Sequence, residues 1–168
     1  GNIAEGTNGI LTMMFRTKDT LAGWNWIFRS EMFKISAGTV QAGPTKMQWF
    51  DDDAVAWGVT TLTISPATDY LLQIKKTVAG QFEWLLRDLA TEVEQTQTTD
   101  DTSTPSQPAA NVELSNAQTG FQGMKISNCV EVLNNDTASA LTVKNYMIEQ
   151  YTGVAPTTTV TTTVTDDT

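Results

Sequence analysis

The chain has no histidine, a single cysteine, and no apolar run near the ~18 residues of a membrane-spanning helix. Without imidazole, histidine-based triads, histidine-ligated zinc and imidazole acid–base chemistry are excluded. Cys129 has no internal disulfide partner, and its place in an alternating apolar run reads as a small buried hydrophobe. No glycine-rich loop of the phosphate-cradling type occurs. The opening GNIAEGTNG has neither the basic flank nor the apolar block of a signal peptide. The expectation is either a trimmed or mature fragment, or a protein made in the cytoplasm and used without Sec-type export, as a virion component would be.

Positive charge is scarce in the second half. Residues 1–87 carry eight acidic and eight basic side chains, whereas 88–168 carry eleven acidic and two basic, Lys125 and Lys144, so the net charge of −9 sits there. Phosphate backbones would be repelled, which argues against nucleic acid and anionic membranes as partners.

What is present is strand chemistry. Residues 69–88, DYLLQIKKTVAGQFEWLLRD, alternate Tyr70, Leu72 and Ile74 with Leu71, Gln73 and Lys75, then Phe82, Trp84 and Leu86 with Glu83, Leu85 and Arg87. This two-residue period, broken at Ala79-Gly80, predicts a β-hairpin with one face in the core. Residues 9–16 read as a half-buried strand with Leu11, Met13 and Phe15 inward and Thr12 and Arg16 outward. Residues 24–30 place Trp24, Trp26 and Phe28 on one face, Phe33 and Ile35 continue to a turn at Gly38, and residues 41–44 form a second turn. A short strand at 46–50 runs into Asp51-Asp52-Asp53. Residues 54–65 change apolar parity between Val59 and Leu62, which predicts a bulge near Gly58.

Residues 89–97 give a polar-rich strand and 98–111 a long surface loop with two prolines; Val112 and Leu114 start another strand, which runs toward a turn at Thr119-Gly120. Residues 121–133 place Met124, Ile126, Val130 and Val132 on one face. Residues 140–151 leave two readings open. One is a strand; the favoured one is a short helix capped by Thr142, with Val143, Tyr146, Met147 and Tyr151 inward and Gly153 past its end. The expected architecture is all-β, a two-sheet antiparallel sandwich over 9–153 with one short C-terminal helix, flanked by an N-terminal arm, 1–8, and a Thr-rich segment, 154–168. That last segment is a mobile tail, an edge strand, or an arm that adds to a neighbour's sheet and so a route to a homo-oligomer.

The strand order resembles the laminin G-like and concanavalin A-like lectin/glucanase superfamily of jelly rolls. Three stretches carry the resemblance: the 69–88 hairpin, Phe121-Gln122-Gly123-Met124-Lys125-Ile126, similar to the family's closing strand, and 141–151, similar to its short final helix. The resemblance implies a glycan- or protein-binding module, in some members with calcium at the rim and in some branches a glycoside hydrolase. The hydrolase branch needs carboxylates at i, i+2 and i+4 on one strand. Glu92-Val93-Glu94-Gln95-Thr96 lacks the third, so no catalytic residue is assigned and the chain reads as a non-enzyme.

The candidate site is Trp49 and Phe50 beside Asp51, Asp52 and Asp53, aromatic rings next to hydroxyl-binding carboxylates. The same three aspartates are the candidate calcium ligands, with Asp100 and Asp101 a second acidic pair, although neither set has the alternating spacing of a dedicated calcium loop. The expectation is a non-catalytic, lectin-like recognition module, extracellular or on a virion surface, that binds a glycan or a surface protein. The alternative is a structural virion or filament protein, such as a phage capsid-decorating or tail component, whose sandwich and terminal arm serve assembly.

Overall fold

The structure, a computed structural model, describes residues 9–21, 26–30, 33–39, 43–51, 56–76, 81–100, 112–114, 125–132 and 136–153. Ten strands and one helix follow one another: β1 Gly9–Arg16, β2 Trp26–Ser30, β3 Phe33–Thr39, β4 Gly43–Asp51, β5 Ala56–Thr63, β6 Asp69–Lys76, β7 Gln81–Asp88, β8 Glu94–Asp100, β9 Val112–Leu114, β10 Lys125–Val132 and α1 Thr137–Thr152. They form two five-stranded sheets, β10-β1-β6-β7-β8 and β5-β4-β3-β2-β9. Each strand pairing described is antiparallel. The two-sheet sandwich expected from the sequence is the fold.

The core lies between the sheets, where the alternation of the central hairpin places it. Leu72 pairs with Leu86 and Ile74 with Trp84, and on the other side Met13 pairs with Leu72 and Leu11 with Ile74. Their side chains meet Ile27, Phe28, Ile35, Met47, Trp49 and Leu62 from the second sheet in one buried cluster. The hairpin's connection, with Ala79 and Gly80, lies outside the described residues.

β1 corrects one expectation. Seven of its eight residues are buried, Thr12 and Met14 included, because α1 lies over the outer face of this sheet. Met14, Leu71, Leu89 and Met147 form a second apolar cluster there. Gln73 and Thr12 satisfy each other in this layer: Gln73 Nε2 donates to Thr12 Oγ1 at 2.9 Å and to the Ala140 carbonyl at 2.8 Å.

The ambiguous segment is helical and begins five residues before Thr142. Asp136 is the N-cap, its carboxylate accepting from Ser139 N at 2.7 Å, and Gly153 closes the other end in the left-handed conformation at φ 70°. Ala140, Val143, Met147 and Ile148 make the stripe that faces the sheet. Tyr146 and Tyr151 are exposed, not inward as expected.

Bulges account for further departures. Met14 pairs with Asn128 but Phe15 with Ile126, so Ser127 is extra. Ile126 and Cys129 therefore reach the main core while Val130 joins the helix side, and the single apolar face expected for 121–133 is split. In β5 the register with β4 shifts between Val59 and Thr63, at the parity change itself rather than at Gly58. β3 continues through Gly38 and β4 begins at Gly43, so both strands are longer than expected. Residues 89–91 are a turn, not strand, with Asp88 Oδ1 accepting from Ala90 N and Thr91 N, and β8 extends through Asp100. The rest of the expected 98–111 loop and both terminal segments lie outside the described residues.

At one flank of the sandwich, side chains bind the outer strand β5 to β8 of the other sheet. Gln95 Oε1 accepts from Thr63 N at 2.8 Å and its Nε2 donates to the Thr63 carbonyl at 2.8 Å. Gln97 Oε1 accepts from Thr61 N, while within the β5 sheet Lys46 Nζ of β4 donates to the Thr61 carbonyl.

Burial, and then the neighbouring Glu131 charge, push the Cys129 thiol up to about 11. Native Cys129 is expected to react with a disulfide reagent at pH 8 about a hundredfold more slowly than in the denatured chain. Equal rates in the two states would show that the thiol is not held at the core.

Candidate functional site

Trp49, one of the two aromatics of the sequence-predicted site, belongs to the core. Trp49 sits on β4 with only 7% of its surface exposed, its ring centroid 5.7 Å from that of Phe82. Its direct neighbour across the ladder is Gly58 on β5, and a Cβ there would lie inside the van der Waals envelope of the indole. The ring thus uses the space that glycine leaves open, and it has no free face for a sugar. The backbones of Phe50 and Asp51 lie opposite Trp57 and Ala56 at the end of β4. Their side chains, and Asp52 and Asp53 altogether, lie outside the described residues, as does Asp101. Asp100 accepts from Gln81 Nε2 at 3.1 Å. Among the described residues no group of three carboxylate or thiol ligands converges on one point.

Glu92 and Glu94 do not share a strand face. Glu92 sits in the turn with φ 63°, and Glu94 opens β8. Arg87 bridges them, at 3.5 Å from Glu92 Oε2 and 2.9 Å from Glu94 Oε1.

A groove of about 550 Å³ opens on the outer face of β6, β7 and β8, beside the N-terminal half of α1. The central hairpin builds its floor: the positions that alternate with the core residues point here, bringing Gln73 and Lys75 from β6 and Glu83 and Leu85 from β7. β8 adds Thr96 and Thr98, and α1 supplies a wall with Thr137, Leu141 and Lys144. Leu141 is half exposed, and with Leu85 it gives an apolar surface between hydroxyls and charges.

The charges are fixed in pairs. Lys75 Nζ lies 2.7 Å from Glu83 Oε2, with the lysine side chain 15% exposed and the glutamate 48%. Lys144 Nζ lies 3.2 Å from Glu94 Oε1, which ties α1 to β8. Burial alone would raise the Glu94 carboxyl, but hydrogen bonds and charge from Arg87 and Lys144 outweigh it and hold the group below the usual carboxylate range.

This groove escaped the sequence reading because its floor looks like an ordinary solvated strand face and its wall depends on where α1 packs. The available signal was the second face of the hairpin, where Lys75 and Glu83 fall at paired positions.

No family model matches the chain, and no curated protein matches it. Among solved structures it is similar to the LG1-3 region of the laminin alpha2 chain, at 13% identity and a TM-score of 0.49, over 77% of this chain and 29% of that one. The match spans less than a third of the laminin region, and neither a ligand nor an activity is carried over from it.

Gly58→Ala is expected to destabilise the protein by about 2–3 kcal/mol, since Trp49 must leave its position. Urea unfolding measures this, and a change within 0.5 kcal/mol (about the noise of a surface substitution) would contradict the packing. Glu94 has a lowered folded pKa, so its stabilisation is fully present above the ordinary carboxyl value of 4.5 and is lost as pH falls through the folded value. Glu94→Gln is expected to cost about 1 kcal/mol at pH 7, with the gap closing in acid; a gap independent of pH would refute the network.

Proposed function

We propose that the chain is a non-catalytic recognition module whose groove between β6–β8 and α1 binds a glycan. The observation that carries this reading is the composition of the groove: leucine surface at Leu85 and Leu141 lies among the hydroxyls of Thr96, Thr98 and Thr137 and among ordered ion pairs. A saccharide presents the matching combination, an apolar C–H face rimmed by hydroxyls that both donate and accept. The floor is made of sheet, so its polar groups are held in place before a ligand arrives. Glu94, kept ionised by two cations, is unsuited to act as the general acid that glycoside hydrolysis requires. Such a module would work where glycans are displayed, on a cell or virion exterior.

Titrating short oligosaccharides while following backbone amide NMR signals tests the reading. Shifts are expected to cluster on β6, β7, β8 and the start of α1, and Leu141→Asp and Thr96→Val are each expected to weaken binding about tenfold, 1.4 kcal/mol. Shifts confined to residues 49–53 would return the site to the end of β4; no shift with any sugar would remove the glycan reading. The alternative, assembly through residues 157–164, turns on a segment outside the described residues. Light scattering on the full chain and on a version ending at Gly153 separates the two: a monomer in both cases fits a recognition module, and an oligomer that dissolves on truncation makes assembly the function.

A further inference from the structure

The groove holds its charges in a way that selects among glycans, an inference that rests on the binding reading above. The two cations that line it, Lys75 and Lys144, each already face a carboxylate. Lys75 lies 2.7 Å from Glu83, and Lys144 and Arg87 converge on Glu94 at 3.2 and 2.9 Å. The lysines are set down, their side chains 15% and 17% exposed, while the Glu83 side chain is 48% exposed. A ligand entering from solvent therefore meets an acceptor first and reaches an ammonium group only beside its carboxylate.

We propose that the groove takes a neutral saccharide and discriminates against carboxylated or sulfated ones, with the Lys75–Glu83 pair as the specificity determinant. Within such a pair the ammonium keeps N–H donors and the carboxylate keeps lone pairs that the ion pair does not use. Two adjacent sugar hydroxyls match them, one accepting from Lys75 and one donating to Glu83, and both bonds are charge-assisted. A uronate or sulfate gains nothing from Glu83. To pair with Lys75 it must displace a carboxylate already in contact, and it loses the neutral ligand's second bond.

The test compares a neutral hexose oligosaccharide with a uronate-containing one of equal length by titration calorimetry, on the full chain and on Glu83→Gln and Lys75→Met. Wild type is expected to bind the neutral sugar at least about tenfold more tightly. Glu83→Gln frees the Lys75 charge and is expected to bring the ratio near or below one, more strongly at low salt. Lys75→Met is expected to weaken the neutral sugar without improving the uronate. Thermal unfolding and amide spectra establish that each variant is folded, and either variant alone keeps the test decisive. Uronate binding equal to or tighter than neutral binding in wild type overturns the proposal while leaving a glycan site in the groove. So does an unchanged ratio in folded Glu83→Gln. Absence of binding by both sugars overturns the groove reading itself.

Discussion

The β6–β7 hairpin uses both of its faces, one for the core and the other for the helix and the groove, and most of the molecule follows from that constraint. Its inward residues, Leu72, Ile74, Phe82, Trp84 and Leu86, are the centre of the sandwich core. Its outward residues divide between two tasks. Leu71 at one end anchors α1, while Lys75, Glu83 and Leu85 at the other form the groove floor. Because side chains alternate strictly along a strand, a shift of one residue in the pairing of β6 with β7 would exchange core for groove. Fold and candidate site are therefore specified by the same register.

Legibility in the sequence tracks that alternation. The hairpin and β1 could be read within a residue or two because the residues that face the core, Leu11, Met13, Phe15, Leu72, Ile74, Phe82, Trp84 and Leu86, recur at every second position. Where the ladder breaks, the local pattern no longer reports which face a residue takes. Ser127 is an extra residue that no hydrophobicity pattern marks, so Ile126 and Val130 were placed together although they point to opposite faces. Thr12 looked outward because threonine is polar; it is buried because Gln73, sixty-one residues away, supplies its hydrogen bond. Burial of that kind depends on a long-range partner that local pattern does not reveal.

The site was harder to read than the fold. Trp49 beside three aspartates is conspicuous in sequence, yet what decides its role is Gly58, whose missing side chain makes room for the indole. The groove, in contrast, consists of inconspicuous threonines and lysines brought together by α1 crossing the sheet. The helix was legible through Gly153, but Asp136, which sets its start, was hidden in a run of turn-forming residues. Packing of that helix against Leu71 and Met14, and not any local motif, positions the groove wall.

At the flank of the sandwich, Gln95, Gln97 and Lys46 occupy hydrogen-bonding groups of β5 at Thr61 and Thr63 that another strand would otherwise use. The side-chain amides act as a substitute for a neighbouring chain. A threonine-rich outer strand is a ready template for edge-to-edge stacking, and here the groups at Thr61 and Thr63 are already engaged from within the same molecule. A second copy could pair with this stretch of β5 only by first displacing the glutamine amides from Thr61 and Thr63.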